Sequence, residues 1–157
     1  MPFDVIFALP APFTDHPSFP EGLLTRALEA EGFSVGIIER PRWQSAADFG
    51  QLGRPRLFYA IIPGPVDSVV LNYTSTGKRR REDLYQPGDD AFFADAPLSV
   101  SAKVRPDRTV NVFAARIREA LGDVPLVIGG LEASLRRFAH YDFQQRKIRR
   151  PVLLDSR

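Results

Sequence analysis

The sequence predicts a doubly wound α/β domain: a mainly parallel sheet with flanking helices, in the style of flavodoxin. Short apolar runs without polar alternation are typical of strands that are buried on both faces. These runs alternate with segments of helical spacing, as in the strand–helix–strand units that build parallel sheets. The 157 residues are 44% hydrophobic and 25% charged, which is ordinary for one globular domain. We therefore interpret residues 1–157 as a single domain, and as a fragment that lacks its last strand.

Phe3 to Leu9 is predicted to be the first strand, central because it is apolar on both faces. Ser18 is expected to cap the following helix, with Pro20 in the first turn and Glu21 as the partner in a capping box. Gly32 is expected to end this helix as a C′ glycine.

The second strand is predicted at Phe33 to Ile38, and the third at Leu57 to Ile62. Pro41 to Arg56 connects them, with one helical turn starting at Ser45. A helix is predicted from Pro65 to Tyr73, with three valines facing the sheet: Val66, Val69 and Val70.

Thr74 to Pro106 is an irregular stretch, and Asp107 or Thr109 is expected to start a helix that runs to Leu121. The helix has an apolar stripe at helical spacing and is followed by Gly122. The fourth strand is predicted at Val124 to Ile128, buried on both faces.

Unusual residues follow three of the predicted strands, namely Thr14-Asp15-His16, Pro63-Gly64-Pro65 and Gly129-Gly130. In parallel α/β sheets, ligands bind beyond the carboxyl ends of the strands. The glycine pair lacks both Cβ atoms, so a ligand or another backbone can approach closely. The alternative interpretation is a tight turn that only lets a helix pack on a strand.

The histidines and acids offer no fixed metal site, because nothing in the sequence brings His16, His140, Asp15 and Asp142 together. The chain contains no cysteine, so it offers no thiolate ligand of its own. No run is long enough to span a membrane and no signal peptide is visible, so we expect a cytoplasmic protein without a membrane partner.

Two basic runs, Lys78 to Arg81 and Arg146 to Arg150, carry much of the positive charge. Arginine binds phosphate through paired hydrogen bonds, so a stand-alone module for a phosphorylated ligand or RNA is one alternative. Nucleic acid is not the favoured partner, since exposed charge runs are usually solvated faces. A steep salt dependence of RNA affinity would identify such a module.

Longer strings carry a family resemblance. They are Asp15-His16-Pro17-Ser18-Phe19, Leu28-Glu29-Ala30-Glu31-Gly32-Phe33, Asp67-Ser68, Asn72-Tyr73-Thr74, Arg79-Arg80-Arg81 with Asp83, Tyr85-Gln86-Pro87-Gly88, Arg105-Pro106-Asp107-Arg108, Val127-Ile128-Gly129-Gly130-Leu131-Glu132-Ala133-Ser134-Leu135-Arg136-Arg137, His140-Tyr141-Asp142 and Val152 to Ser156. In this order they resemble the N-terminal region of the YgiQ-like family of radical SAM proteins, over nearly the whole chain.

The resemblance implies an accessory domain that precedes a radical SAM barrel in the same polypeptide. In that family the barrel binds a 4Fe-4S cluster and S-adenosylmethionine through a Cys-x-x-x-Cys-x-x-Cys motif, so both cofactors are expected in the full-length protein and neither on this chain. The partners implied are that barrel and a small-molecule or macromolecular substrate that the sequence does not name.

The chain also resembles the cobalamin-binding domains that precede many such barrels. Their ligating pattern, Asp-x-His-x-x-Gly, is not matched, because Asp15 adjoins His16 and position 19 is Phe. Binding without that ligand remains an alternative, which an absorbance spectrum would test.

The residues expected at the ligand-binding or interdomain edge are Asp15, His16, Asp67, Asn72, Gly129, Gly130, Glu132, Ser134, Arg136, Arg137, His140, Tyr141 and Asp142. No residue of the chain is expected to be catalytic or to bind a metal. Arg136 and Arg137 are expected to contact an anion or the neighbouring domain. The alternative is that all of these residues only form the polar interface between two domains.

Overall fold

A four-stranded parallel sheet in the order β2-β1-β3-β4 forms the centre of the domain. The computed structural model describes residues 2–11, 19–80, 105–142 and 145–149. The strands are β1 (Val5–Leu9), β2 (Val35–Glu39), β3 (Phe58–Ile61) and β4 (Leu126–Ile128). The predicted α/β class and the central position of the first strand are confirmed, since all five residues of β1 are buried.

Five helices and one hairpin accompany the sheet within the described residues. The helices are α1 (Pro20–Ala30), α2 (Ala47–Gly50), α3 (Ser68–Asn72), α4 (Thr109–Leu121) and α5 (Gly130–Arg136). The hairpin pairs β5 (His140–Asp142) with β6 (Lys147–Arg149) in antiparallel register. None of the helices in this part of the chain combines the length and apolarity needed to cross a membrane.

The two faces of the sheet are covered differently. On one face, α2 and α4 pack on Ile6, Ala8 and Tyr59 of the sheet. Phe49 of α2 and Phe113 of α4 meet edge to face there, with ring centroids 5.0 Å apart. On the other face, the core consists of buried strand residues with partly buried side chains such as Leu28 of α1 around them. This second face is the thinner layer.

Helix α1 begins differently from the prediction. Its N-cap is Phe19, which has a left-handed backbone (φ 43°) and makes no side-chain capping bond. Ser18, the expected cap, lies outside the described residues. Pro20 is the first helical residue, a position that suits proline because no helical partner exists for an N–H there. Glu21, the expected capping-box partner, is buried at 3% exposure.

Gly32 ends α1 as predicted. It has a φ of 84°, which a side chain would disfavour. Its N–H donates to the Glu29 carbonyl at 2.9 Å, and the Phe33 N–H donates to the Leu28 carbonyl at 3.0 Å. These are the two bonds of a Schellman motif, and they turn the chain directly into β2.

Two burial predictions are wrong. The fourth strand is not buried on both faces: Val127 is 49% exposed, because β4 lies at the edge of the sheet and no helix among the described residues covers it on the α1 face. Val70 does not face the sheet, since it is 57% exposed. Helix α3 is one short turn that begins after Asp67, so its residues do not present the three-valine face expected of a helix from Pro65 to Tyr73.

Candidate functional site

The turns after β3 and β4 meet at one edge of the sheet. Because these strands are parallel neighbours, their carboxyl ends point the same way. Pro63, Gly64, Gly129 and Gly130 line one cavity of about 630 Å³. This confirms that two of the three expected turns converge, while Asp15 and His16 of the third lie outside the described residues.

Glu132 is a buried acid two residues after Gly130. It sits in the first turn of α5 and is 1% exposed. Its Oε2 accepts a hydrogen bond from the Ser68 N–H at 3.0 Å, and its Oε1 accepts one from the Val110 N–H at 3.2 Å. These donors belong to the first turns of α3 and α4, so one carboxylate satisfies amides at two helix N-termini.

The protonation of Glu132 is set by opposing effects. Burial raises the pKa of its carboxyl, and the neighbouring Asp67 carboxylate raises it further. The hydrogen bonds from Ser68 and Val110 act in the other direction by favouring the ionised form. The net pKa is raised, as expected of a carboxyl removed from water.

Asp67 and Ser68 extend the contacts of Glu132. Asp67 is the N-cap of α3, and its Oδ1 accepts from the Val69 N–H at 2.9 Å. The Ser68 hydroxyl oxygen accepts from the Thr109 N–H at 3.2 Å, which joins α3 to the start of α4. Both residues are buried, at 6% and 1% exposure. Asp67 therefore serves the local fold whatever else it contacts.

Asn72 joins the end of α3 to the segment before α4. Its Nδ2 donates to the Arg105 carbonyl at 3.3 Å and to Asp107 Oδ1 at 2.7 Å. The other oxygen of Asp107 accepts from the Tyr73 hydroxyl at 2.7 Å. Glu132 and Ser68 thus hold the start of α3 against α4 and α5, while Asn72 and Asp107 hold its end against the segment before α4. We call these two sets of bonds, with the Asp67 cap, the Glu132 network.

The two glycines after β4 differ in what surrounds them. Gly130 has a φ of 81°, and a Cβ there would lie 2.7 Å from the Pro63 side chain, so this position requires glycine. Gly129 has an extended backbone (φ −125°) that any residue adopts, and no atom of the described residues lies within 4 Å of where its Cβ would be. At Gly130, the group that approaches the backbone closely is thus Pro63 of the same domain. At Gly129, no described residue makes such an approach.

The remaining expected residues lie on α5 and the hairpin. Ser134 is exposed and its hydroxyl donates to the Gly130 carbonyl at 3.1 Å. Arg137 is exposed at the end of α5, and Tyr141 is 47% exposed. Arg136 is the last residue of α5, while His140 and Asp142 are the ends of β5, opposite Arg149 and Lys147. The hydrogen bond described for Ser134 stays within α5.

Ser68, Tyr73 and Asp107 belong to the family strings but are not among the residues expected at the edge. Thr109 was named only as a possible helix start. The available signal was their place in the strings, because hydrogen-bonding partners more than 30 residues apart leave no periodic pattern.

Two residues of the basic run after α3, Arg79 and Arg80, contact Tyr73 at the end of that helix. The Arg79 guanidinium lies over the Tyr73 ring, 5.7 Å from its centroid. Arg80 Nε donates to the Tyr73 carbonyl at 3.1 Å. Lys78, Arg79 and Arg80 are nevertheless exposed, as are Arg146 and Lys147 on the hairpin, whereas Arg81 and Arg150 lie outside the described residues.

The residues of this chain do not fit a 4Fe-4S cluster. Cysteine thiolates are the ligands of such clusters, and the sequence contains none. Within the described ranges, no group of three or more His, Asp or Glu side chains converges to hold a metal ion. Ligands for a cluster would have to come from outside these 157 residues.

Comparisons with known proteins agree with the resemblance. The model of the family described as "Radical SAM N-terminal" matches residues 2–157. A UPF0313 protein of Geobacter sulfurreducens is 47% identical over 154 residues, which are 98% of this chain and 24% of that protein. A UPF0313 protein of Vibrio vulnificus is 45% identical over 98% of the chain and 19% of its own length, and one of Clostridium botulinum is 43% identical over 98% and 22%.

The chain thus spans about a fifth to a quarter of the length of these curated relatives. No solved structure matches it significantly.

Proposed function

This chain belongs to the radical SAM N-terminal family, and from that premise we propose that it is an accessory domain of a 4Fe-4S-dependent radical SAM enzyme. Its role in this proposal is to position a substrate or cofactor against a catalytic barrel formed by other parts of the polypeptide. The length of the relatives supports this, since about three quarters or more of each lies outside the matched region.

The observation that carries the positioning role is the open space at Gly129. The backbone of Gly129 does not require glycine, and the described residues leave the space next to it free. Glycine without a conformational need costs backbone entropy on folding. A group that comes from outside the domain and contacts the main chain would account for it.

The Glu132 network supports this role by holding the edge rigid. It fixes α3 and α4 to the first turn of α5 through bonds that are buried from water. Binding sites work best when such a second layer of hydrogen bonds holds the contact residues in place. In this proposal the buried acids orient the edge, and Gly129, Ser134, Arg137 and Tyr141 meet the bound group.

The proposal is tested on the complete polypeptide in two steps. After anaerobic reconstitution with iron and sulfide, the reduced protein is incubated with S-adenosylmethionine, and 5′-deoxyadenosine is measured by mass spectrometry. A radical SAM enzyme forms it. The assay is then repeated with a metabolite extract of the producing organism, and we expect the extract to stimulate product formation.

A glycine series then separates positioning from folding. Gly129→Ala is expected to keep the basal rate and to lose extract-dependent stimulation by about tenfold or more, since misplacing a substrate by about 1 Å can cost about 100-fold. Gly50→Ala is the control, because a Cβ there makes an ordinary 3.6 Å contact with Ala120 on the opposite face. Equal stimulation of Gly129→Ala and Gly50→Ala would contradict a role for the glycine edge.

A further inference from the structure

The 630 Å³ cavity continues as a groove along α1, on the thinner face of the sheet. One wall is α1, with Leu24 and Leu28, and the other is formed by Val127 and Leu131. Leu24, Val127 and Leu131 are 47%, 49% and 47% exposed. Glu31, at the end of α1, is the one charged residue among the described residues that line it.

The groove lies where a parallel sheet normally carries a helix. Parallel sheets are covered on both faces, and α2 and α4 cover the opposite face here. On the α1 face, the described residues place α1 beside Phe7 and Ala60, and no second helix over β3 and β4. The Val127 side chain of β4 therefore remains half exposed on a surface that the fold class would bury.

The order of the strands limits which connection can place a helix in the groove. Crossovers between parallel strands are right-handed. The step from β1 to β2 runs one way across the sheet and places α1 on one face; the steps from β2 to β3 and from β3 to β4 run the other way and place their helices on the opposite face. A helix lies beside α1 if the chain first adds a strand next to β4 and then runs back across the sheet, in the direction of the step from β1 to β2.

We propose that the groove binds an amphipathic helix of the same polypeptide, contributed by sequence beyond residue 157 after a strand that pairs with β4. Such a helix presents leucine-like side chains to Leu24, Val127 and Leu131, and a basic residue near Glu31. The length of the relatives provides the chain for it, since they are four to five times as long as the matched segment. The inference goes beyond the proposed function, because it holds whether or not the polypeptide cleaves S-adenosylmethionine.

The test is photocrosslinking in the polypeptide expressed from its complete reading frame. A small diazirine amino acid is introduced at Leu24, which lines the groove, and as a matched control at Leu23, its neighbour on α1, which is 66% exposed and outside it. After irradiation, peptide mapping locates the crosslinks. We expect position 24 to link to a segment beyond residue 157 of the same molecule, at a yield at least several times that of position 23.

Other outcomes overturn the proposal. Crosslinks from position 24 to residues 1–157 would mean that the chain fills its own groove, and links to a second copy would make the groove a dimer interface. A small molecule attached at position 24 would make it a ligand pocket, since its volume also lies in the range of about 300–1,000 Å³ of such sites. Equal low yields at both positions would mean an open groove. The same experiment with the probe at Val127 guards against local disturbance of α1.

Discussion

Removing the Glu132 side chain should release two helix N-termini at once. Glu132→Ala leaves the buried N–H groups of Ser68 and Val110 without these acceptors. An unsatisfied buried donor costs about 1–3 kcal/mol. The sum is partly offset, because the variant no longer holds a carboxyl group away from water. We therefore expect a net loss of about 2–4 kcal/mol in the local opening free energy.

Native-state hydrogen exchange of the complete polypeptide measures this loss at the amides concerned. Each 1.4 kcal/mol changes an equilibrium tenfold, so the Ser68 and Val110 amides should exchange about 30-fold faster or more. Glu119→Ala is the control, because Glu119 is exposed on α4 and pairs with Arg116 at the surface. Surface pairs contribute about 0–1 kcal/mol. Unchanged exchange at both amides in Glu132→Ala would refute the bridging role of the carboxylate.

The raised pKa of Glu132 adds a dependence on pH. The folded state retains the proton at pH values where the unfolded chain has lost it, so the contribution of Glu132 to stability falls as the pH rises from the unfolded pKa through the folded one. Glu132→Gln cannot ionise and should lack this fall. The opening free energy of the wild type minus that of Glu132→Gln should therefore be more positive at pH 4 than at pH 7. An equal difference at both pH values would contradict the raised pKa.

Two further substitutions test contacts outside Glu132. Asp107→Ala should lower protection in α3 by about 1–3 kcal/mol in hydrogen exchange, because its carboxylate accepts from Asn72 and Tyr73; unaltered protection would contradict that contact. The Ser34 N–H and hydroxyl, with Arg56, hold the pKa of the Asp4 carboxyl below its usual range, so Asp4 stabilises the fold above its unfolded pKa and loses this effect as the pH falls through the folded one. Ser34→Ala should therefore lower the urea midpoint more at pH 7 than at pH 3, and equal shifts would argue against it.

Local chemistry made most of the fold predictable. The strand–helix alternation, the central first strand and the C′ role of Gly32 follow from apolar patterning and glycine geometry, which act over a few residues. The exposed state of Val127 could not be read in this way. Its apolar run resembles that of the central β1, and only the order of strands in the sheet determines that β4 is at the edge. The β5–β6 hairpin is not predicted because each of its strands has only three residues, too few for their alternation of polar and apolar side chains to indicate a strand.

The candidate site shows the same limit more sharply. Glu132 was expected at an edge that contacts a ligand or another domain, yet its carboxyl group is bonded to two helices within this one. A residue in a family string can serve contacts within its own domain or contacts with a ligand or another domain, and the string does not distinguish the two. The Gly129-Gly130 pair distinguishes these cases, because positive φ and contact with Pro63 explain Gly130, while the described residues offer no such explanation for Gly129. We therefore expect the partner of Gly129 to lie outside the described residues, at the groove beside α1 that Gly129 lines.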